Sequence, residues 1–175
     1  MSVLKKLFIG VILVAVLVMG IGFLLPSDFR VERSVIIKAP SEQIYPLIAD
    51  LKEWKRWGGW FARDPNMLVT YSGPDSSIGM KSSWTSATEG SGEMTITALQ
   101  PNTSVKYDLY FPEFEMGSTG ELTLIDVSDG TKVVWRDYGD VGSNPIKHYF
   151  ALMMDSMIGP DFQQGLENLK ALVEN

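Results

Sequence analysis

The sequence predicts an α+β protein, a curved antiparallel sheet of about seven strands wrapped around a long C-terminal helix, with an apolar helix ahead of both. Three features carry this reading. Leu7 to Leu25 is an uncharged run of nineteen residues behind Lys5 and Lys6. From Leu68 to Tyr138 the apolar residues recur with period two, the spacing of a half-buried strand. From Pro145 to Val173 they recur at helical spacing.

At 1.5 Å of rise per residue the N-terminal run would span roughly 28 Å, close to the ~30 Å hydrocarbon thickness of a bilayer. It lacks the polar face that a helix on a soluble domain keeps. Two readings stand. One is an uncleaved membrane anchor. The other is a secretory signal with Leu7 to Met19 as its apolar core and Gly20-Ile21-Gly22 as a small-x-small cut. The apolar run continues through Phe23-Leu24-Leu25 beyond that cut, which favours the anchor. A lipidated N-terminal cysteine is excluded, since the chain has none. Lys5 and Lys6 favour a cytoplasmic N-terminus and an extracytoplasmic domain, against the opposing pull of Arg30 and Arg33. The expected organisation is an anchor and linker over 1–28 and one domain over 29–175.

Beyond residue 25 the chain carries 13 Lys/Arg against 21 Asp/Glu, a net charge of −8. Nucleic acid is thereby a poor partner, because phosphate binding needs clustered cations. Without cysteine there is no disulfide, no thiolate nucleophile and no cysteine-ligated metal.

Val31 to Lys38 reads as the first strand, ended by Ala39-Pro40. A helix opens at Pro40 or Ser41, with Glu42 favoured by the helix dipole in its first turn and Ile44, Leu47, Ile48 and Leu51 on one face. It loses its pattern by Trp57-Gly58-Gly59-Trp60. Six strands follow, over Leu68–Ser72, Gly79–Ser86, Gly92–Gln100, Ser104–Phe111, Phe114–Val127 and Lys132–Tyr138. Turn residues such as Gly73-Pro74-Asp75, Pro101-Asn102 and Asp129-Gly130 separate them, so sequential strands are expected to pair antiparallel. Alternation groups Met80, Ser82 and Trp84 with Met94, Ile96 and Ala98 on one face. Val105, Tyr107, Leu109, Met116, Leu122, Leu124, Val133 and Trp135 continue it. Asn144 caps the last helix and Pro145 opens it. Its stripe runs through Ile146, Tyr149, Phe150, Met153, Met154, Met157 and Ile158 to Phe162, Leu166, Leu169, Leu172 and Val173, with a kink or break expected at Gly159-Pro160. The helix must bury that stripe on the concave face of the sheet, which is a helix-grip arrangement.

In this order the motifs resemble the polyketide cyclase/dehydrase and START-like lipid-transfer superfamily, which includes the birch-pollen-allergen fold. The residues that carry the likeness are Glu32-Arg33-Ser34-Val35 running into Ala39-Pro40-Ser41-Glu42-Gln43-Ile44, then Trp54-x-x-Trp57, Tyr71-Ser72-Gly73-Pro74 and Gly79-x-Lys81-x-x-Trp84. Gly130-Thr131-Lys132-Val133-x-Trp135 and the Asn144-Pro145 helix start complete it. The likeness covers residues 29 to 174 and implies the helix-grip fold. It implies an internal cavity for a small apolar ligand, without deciding between carriers, hormone binders and cyclases.

Catalytic scripts are few. His148 is the only histidine, so a three-histidine metal site is impossible, and its place near the start of the last helix reads as an exposed helix residue. No metal and no cofactor are expected. Asp137 is the one catalytic candidate: alternation from Val133 and Trp135 turns it toward the concave face, where desolvation would suit it to proton transfer. The competing expectation is that the strand ends there and leaves Asp137 at the wet rim. The series Trp54-x-x-Trp57-x-x-Trp60 has three readings: a cavity end, a membrane-interface contact or core filling, of which core filling is preferred. The expected ligand-lining residues are Trp84, Met94, Ile96, Tyr107, Leu109, Leu122, Trp135, Tyr149, Met153 and Met157. Methionine adapts to varied apolar partners, and the hydroxyls of Tyr107 and Tyr149 could meet a polar end. The expected function is membrane-tethered binding of a small lipid or isoprenoid-like molecule, with the membrane met through Leu7–Leu25. The alternatives are a cyclase or hydratase on a polyketide-like substrate, and a non-catalytic stress or interaction domain.

Overall fold

Period-two alternation becomes seven strands: β1 (Asp28–Ile37), β2 (Leu68–Ser72), β3 (Lys81–Ser86), β4 (Gly90–Gln100), β5 (Ser104–Phe111), β6 (Met116–Val127) and β7 (Gly130–Asp140). The structure is a computed structural model and describes residues 3–175; Met1 and Ser2, the start of the expected anchor region, lie outside them. Among the described residues four α-helices accompany the strands, α1 (Val3–Gly22), α2 (Ser41–Ala49), α3 (Gly59–Arg63) and α4 (Pro145–Glu174), with a 3-10 turn over Glu53–Arg56.

All seven strands join one antiparallel sheet in the order β1-β7-β6-β5-β4-β3-β2. Short turns make β2 to β7 sequential neighbours, and the first strand closes on the last, from Asp28 opposite Asp140 to Ile37 opposite Thr131. The inward faces of β1 and β7, with Val31, Val35, Ile37, Val133 and Trp135 all buried, form the floor on which α4 lies.

Local deviations have local causes. β6 begins at Met116 because Pro112–Phe114 forms a 3-10 turn and Glu115 takes a left-handed backbone at φ 46°. In β4, Ile96 faces Tyr107 while Ala98 faces Lys106, so Thr97 is an extra residue. This bulge reverses the alternation. Ala98, expected inside, is exposed, and Leu99 takes its place against the core.

The start of α4 follows the sequence closely: Asn144 Oδ1 accepts from the Ile146 amide at 3.0 Å, and Pro145 is the first helical residue. Of the kink or break expected at Gly159-Pro160, no break occurs: the helical segment runs on to Glu174 without interruption. Proline withholds one helical bond, but Met154, Phe162, Leu166 and Leu169 are buried on both sides of it and keep both halves packed in the core. Gly159 has its own reason: the Arg33 guanidinium occupies the space a Cβ would take, on its way to a bidentate pairing with Asp155.

Two expectations for α4 are corrected. Ile146, Phe150, Met153 and Met157 do not face the sheet; Phe150 is 50% and Met153 53% exposed. The sheet-facing side is set by His148, Ala151, Met154 and Phe162, with Gly165 beneath the Trp135 ring. Small residues let the helix approach closely there, and an apolar pattern on both sides hides which side is inside. His148 is also not an exposed residue. It is 7% exposed, and its ring nitrogens meet the carbonyl oxygens of Gly22 at 2.7 Å and Gly142 at 2.9 Å.

Helix α1 is long and apolar enough to cross a membrane, and its side chains are exposed. It ends at Gly22, before the predicted Leu25, because Phe23 to Leu25 turn back on its last carbonyls.

Candidate functional site

Helix α2 ends with carbonyls that have no partner within the helix. The Trp54 indole donates to Ile48 O and the Trp57 indole to Leu47 O, each at 3.0 Å. The i, i+3 spacing thus puts both rings under α2 and turns them into the core. Trp135 on β7 is the hub they meet. Phe162 of α4 stacks on it with centroids 4.1 Å apart, while Trp54 and Trp57 approach edge-on at 5.6 and 5.4 Å. Trp54 and Trp57 thus both fill the core, and Trp54 also lines the gap described below. Where a cavity was expected beneath α4, the space is occupied by indoles.

Tyr107 completes the cluster. Its ring lies across β6 at Gly120, where a Cβ would overlap the phenol, and its oxygen accepts from Trp135 Nε1 at 2.8 Å. Burial pushes the Tyr107 phenol well above its ordinary range. Two residues along β7 from the hub, Asp137 faces the same interior. It is 1% exposed, so β7 does not end there and the carboxyl is not at a wet rim. Burial pushes it up to about 7, and the Ser118 hydroxyl, donating at 3.1 Å, opposes this only in part. A carboxyl poised near neutrality has the range a proton donor or acceptor needs.

Among the described residues there is an internal gap. It has room for about 20 Å³ and lies toward the β2 end of the sheet. Leu51, Trp54, Trp60 and Phe61 line it together with Val69, Ser82, Trp84 and Met94 of the sheet. Trp84 lies across β4 because Gly92 has no side chain to block its indole. The outer wall, α3, is a five-residue helix whose Trp60 and Phe61 are half-buried. Arg63 clamps it. Its Nε donates to Glu89 Oε1 at 3.0 Å and its Nη2 to Asp161 Oδ2 at 3.0 Å, tying α3 to the β3–β4 turn and to α4. Both carboxylates hold the guanidinium's pKa above its ordinary value.

Of the residues expected to line a ligand site, Trp84 and Met94 reach this gap. Ile96, Tyr107, Leu122 and Trp135 are buried in the closed core, and Leu109 packs at its margin. Tyr149 gives its hydroxyl to Val18 O at 2.8 Å, and Met153 and Met157 lie outside. Leu51, Phe61, Val69 and Ser82 were not anticipated as walls. Ser82 and Trp84 share one strand face, which was a usable signal; α3 has no periodicity long enough to give one. Asp137 is not among the walls. Among the described residues no group of three acidic or histidine side chains is placed to hold a metal ion.

A seven-stranded antiparallel sheet packed on a long C-terminal helix, with a tryptophan-filled interior, defines a helix-grip domain. Residues 28–174 match the family described as polyketide cyclase/dehydrase and lipid transport, and the chain belongs to it. No curated protein matches the chain. Solved structures share the fold. A Thermobifida fusca protein is 21% identical with a TM-score of 0.64, the match covering 81% of this chain and 90% of that one. A Staphylococcus aureus protein of unknown function is 15% identical at 0.62, over 85% and 97%. A protein from the dynemicin biosynthetic locus is 11% identical at 0.58, over 83% of this chain and 47% of its own.

Proposed function

We propose that this protein binds a small apolar molecule of lipid or isoprenoid character between α3 and the β3–β4 hairpin, while α1 tethers it to a membrane with the domain on the extracytoplasmic side. The observation that supports this most is the wall of the gap. It is aromatic and apolar, carries one buried hydroxyl at Ser82, and is closed on the outside by a short helix under a single arginine clamp. As it stands the gap has room for about one water molecule. An apolar ligand therefore enters by displacing Trp60 and Phe61 outward. Its buried surface, at about 25 cal/mol per Å², has to exceed the cost of opening. A tether raises the effective concentration of any ligand that resides in the bilayer.

The test is a titration of delipidated full-length protein, in detergent, with a fatty acid, a quinone and a sterol probe, read by tryptophan emission. Saturable change that is lost in Trp84→Ala and sharpened in Arg63→Ala supports the reading. Absence of saturable uptake by all three probes overturns it. A second reading is a closed-core interaction domain without a ligand, and the Trp135–Phe162 stack with Trp54 and Trp57 filling the space beneath α4 favours it. It predicts no uptake by the wild type or by either variant.

A further inference from the structure

The first half of α4 has two apolar sides. One faces the sheet. The other consists of Ile146, Phe150, Met153 and Met157, at steps of four, three and four residues, and all four are exposed. Large apolar side chains lined up in this way on a protein surface mark a contact with something else.

The surroundings of the stripe say what that something is. It begins where α1 ends, and the two helices are fastened together there. Tyr149, between the stripe residues, donates to Val18 O at 2.8 Å, and the His148 ring bonds Gly22 O at 2.7 Å. Gly22 lies so close against Pro145 that a Cβ would not fit. The stripe is thus continuous with the exposed apolar end of α1, where Phe23 and Leu24 are also uncovered. Asp155, the sole acid between Pro145 and Ile158, points away from the stripe and pairs with Arg33. At the rim, Lys147 donates to the carbonyl of Phe114, a second exposed aromatic. An apolar helix face without acidic residues, edged by a lysine and an aromatic and starting at the end of an apolar span, has the chemistry of a helix lying in a lipid interface.

We propose that the Pro145–Met157 part of α4 lies in the headgroup–acyl boundary of the bilayer that α1 enters, with Ile146, Phe150, Met153 and Met157 facing the acyl chains. The domain then rests on the membrane through α4 as well as being anchored in it. This rests on α1 being in a bilayer, as proposed above.

The chain has no cysteine, so single labelling sites are clean. Phe150→Cys, Met153→Cys, Ile12→Cys within α1 and Ser128→Cys on the far β6–β7 turn are each labelled with an NBD fluorophore. The full-length protein is reconstituted into vesicles of about three parts phosphatidylcholine to one part phosphatidylglycerol, with and without brominated acyl chains. The expected result is emission at positions 150, 153 and 12 falling by about half with brominated lipid while position 128 is unchanged. Quenching at 12 without quenching at 150 and 153 overturns the interfacial helix and leaves the tether standing. Quenching at none of them overturns both. Blue-shifted emission at 150 and 153 that brominated lipid does not quench places protein, such as a second copy, on this face and overturns the proposal too.

Discussion

Trp135 donates its indole N–H to the phenol oxygen of Tyr107 at 2.8 Å, and both side chains are almost wholly buried. The pair spans three strands, because Tyr107 on β5 crosses β6 to reach β7. A buried donor that loses its acceptor costs about 1–3 kcal/mol. Tyr107→Phe is expected to destabilise the domain by that amount, read as a lowered urea midpoint with an unchanged slope. Unchanged stability would mean that the indole has another acceptor.

The crossing depends on Gly120. A methyl group at that position would occupy the space of the Tyr107 ring, and the strand pairing between Tyr107 and Gly120 leaves the ring nowhere to retreat. Gly120→Ala is expected to cost on the order of 3 kcal/mol, and adding Tyr107→Leu should recover part of it. Calorimetric melting of the single and double variants measures the coupling. Additive losses would refute the steric account.

Asp137 makes stability depend on pH in the opposite sense to an ordinary salt-bridged carboxylate. Its folded pKa, about 7, lies above the unfolded value of 3.8. Below about pH 4 both states hold the proton and the group contributes no difference. As pH rises from there to about 7, the unfolded chain gives up the proton and the folded chain keeps it, so stability falls across this window and levels off above it. Asp137→Asn should flatten that slope and raise stability at pH 8 by on the order of 4 kcal/mol at most. Denaturation at pH 4 and pH 8 decides this; a wild-type profile no steeper than the variant's would contradict it.

Arg63 is the fastening of α3. It is too exposed for its removal to cost much, about 1 kcal/mol or less. The predicted effect of Arg63→Ala is local: faster amide exchange over Gly58–Asp64 with little change in the melting temperature. Exchange protection that falls equally throughout the sheet would mean that Arg63 supports the whole fold.

The strands and their order were legible because their signals are local. Turn chemistry at Pro101-Asn102 and Asp129-Gly130 places the hairpins, and alternation picks the buried face wherever no residue is inserted. Thr97 shows the limit: a single bulged residue changes the face from Ala98 to Leu99, and no composition rule marks it. Asp137 was placed on the inner face by parity alone, but parity could not tell whether the strand would continue past it. Helix α4 shows a different limit. Its first half is apolar on two sides, so the side that faces the sheet is decided by where Ala151 and Gly165 allow close approach, a property of the packed pair rather than of the helix. The filling of the space beneath α4 was hidden for a related reason. Ring volumes add up only once Trp54, Trp57, Trp135 and Phe162 are known to converge, and they come from three separate segments.

Between α1 and β1 there is little free chain. Leu24 and Leu25 bond back to Ile21 and Gly22, the Ser27 carbonyl accepts from the Val141 amide at 3.0 Å, and the Ser27 hydroxyl donates to Asp140 at 2.7 Å. With α1 in a bilayer, the domain cannot swing out on a leash to touch a second one, since five residues fully extended reach only about 17 Å. Any cargo it handles must arrive and leave through the same leaflet or by diffusion from solution. On the proposed tether and ligand it would be a fixed station rather than a shuttle, and exchange assays between two vesicle populations should see no transfer faster than the spontaneous rate.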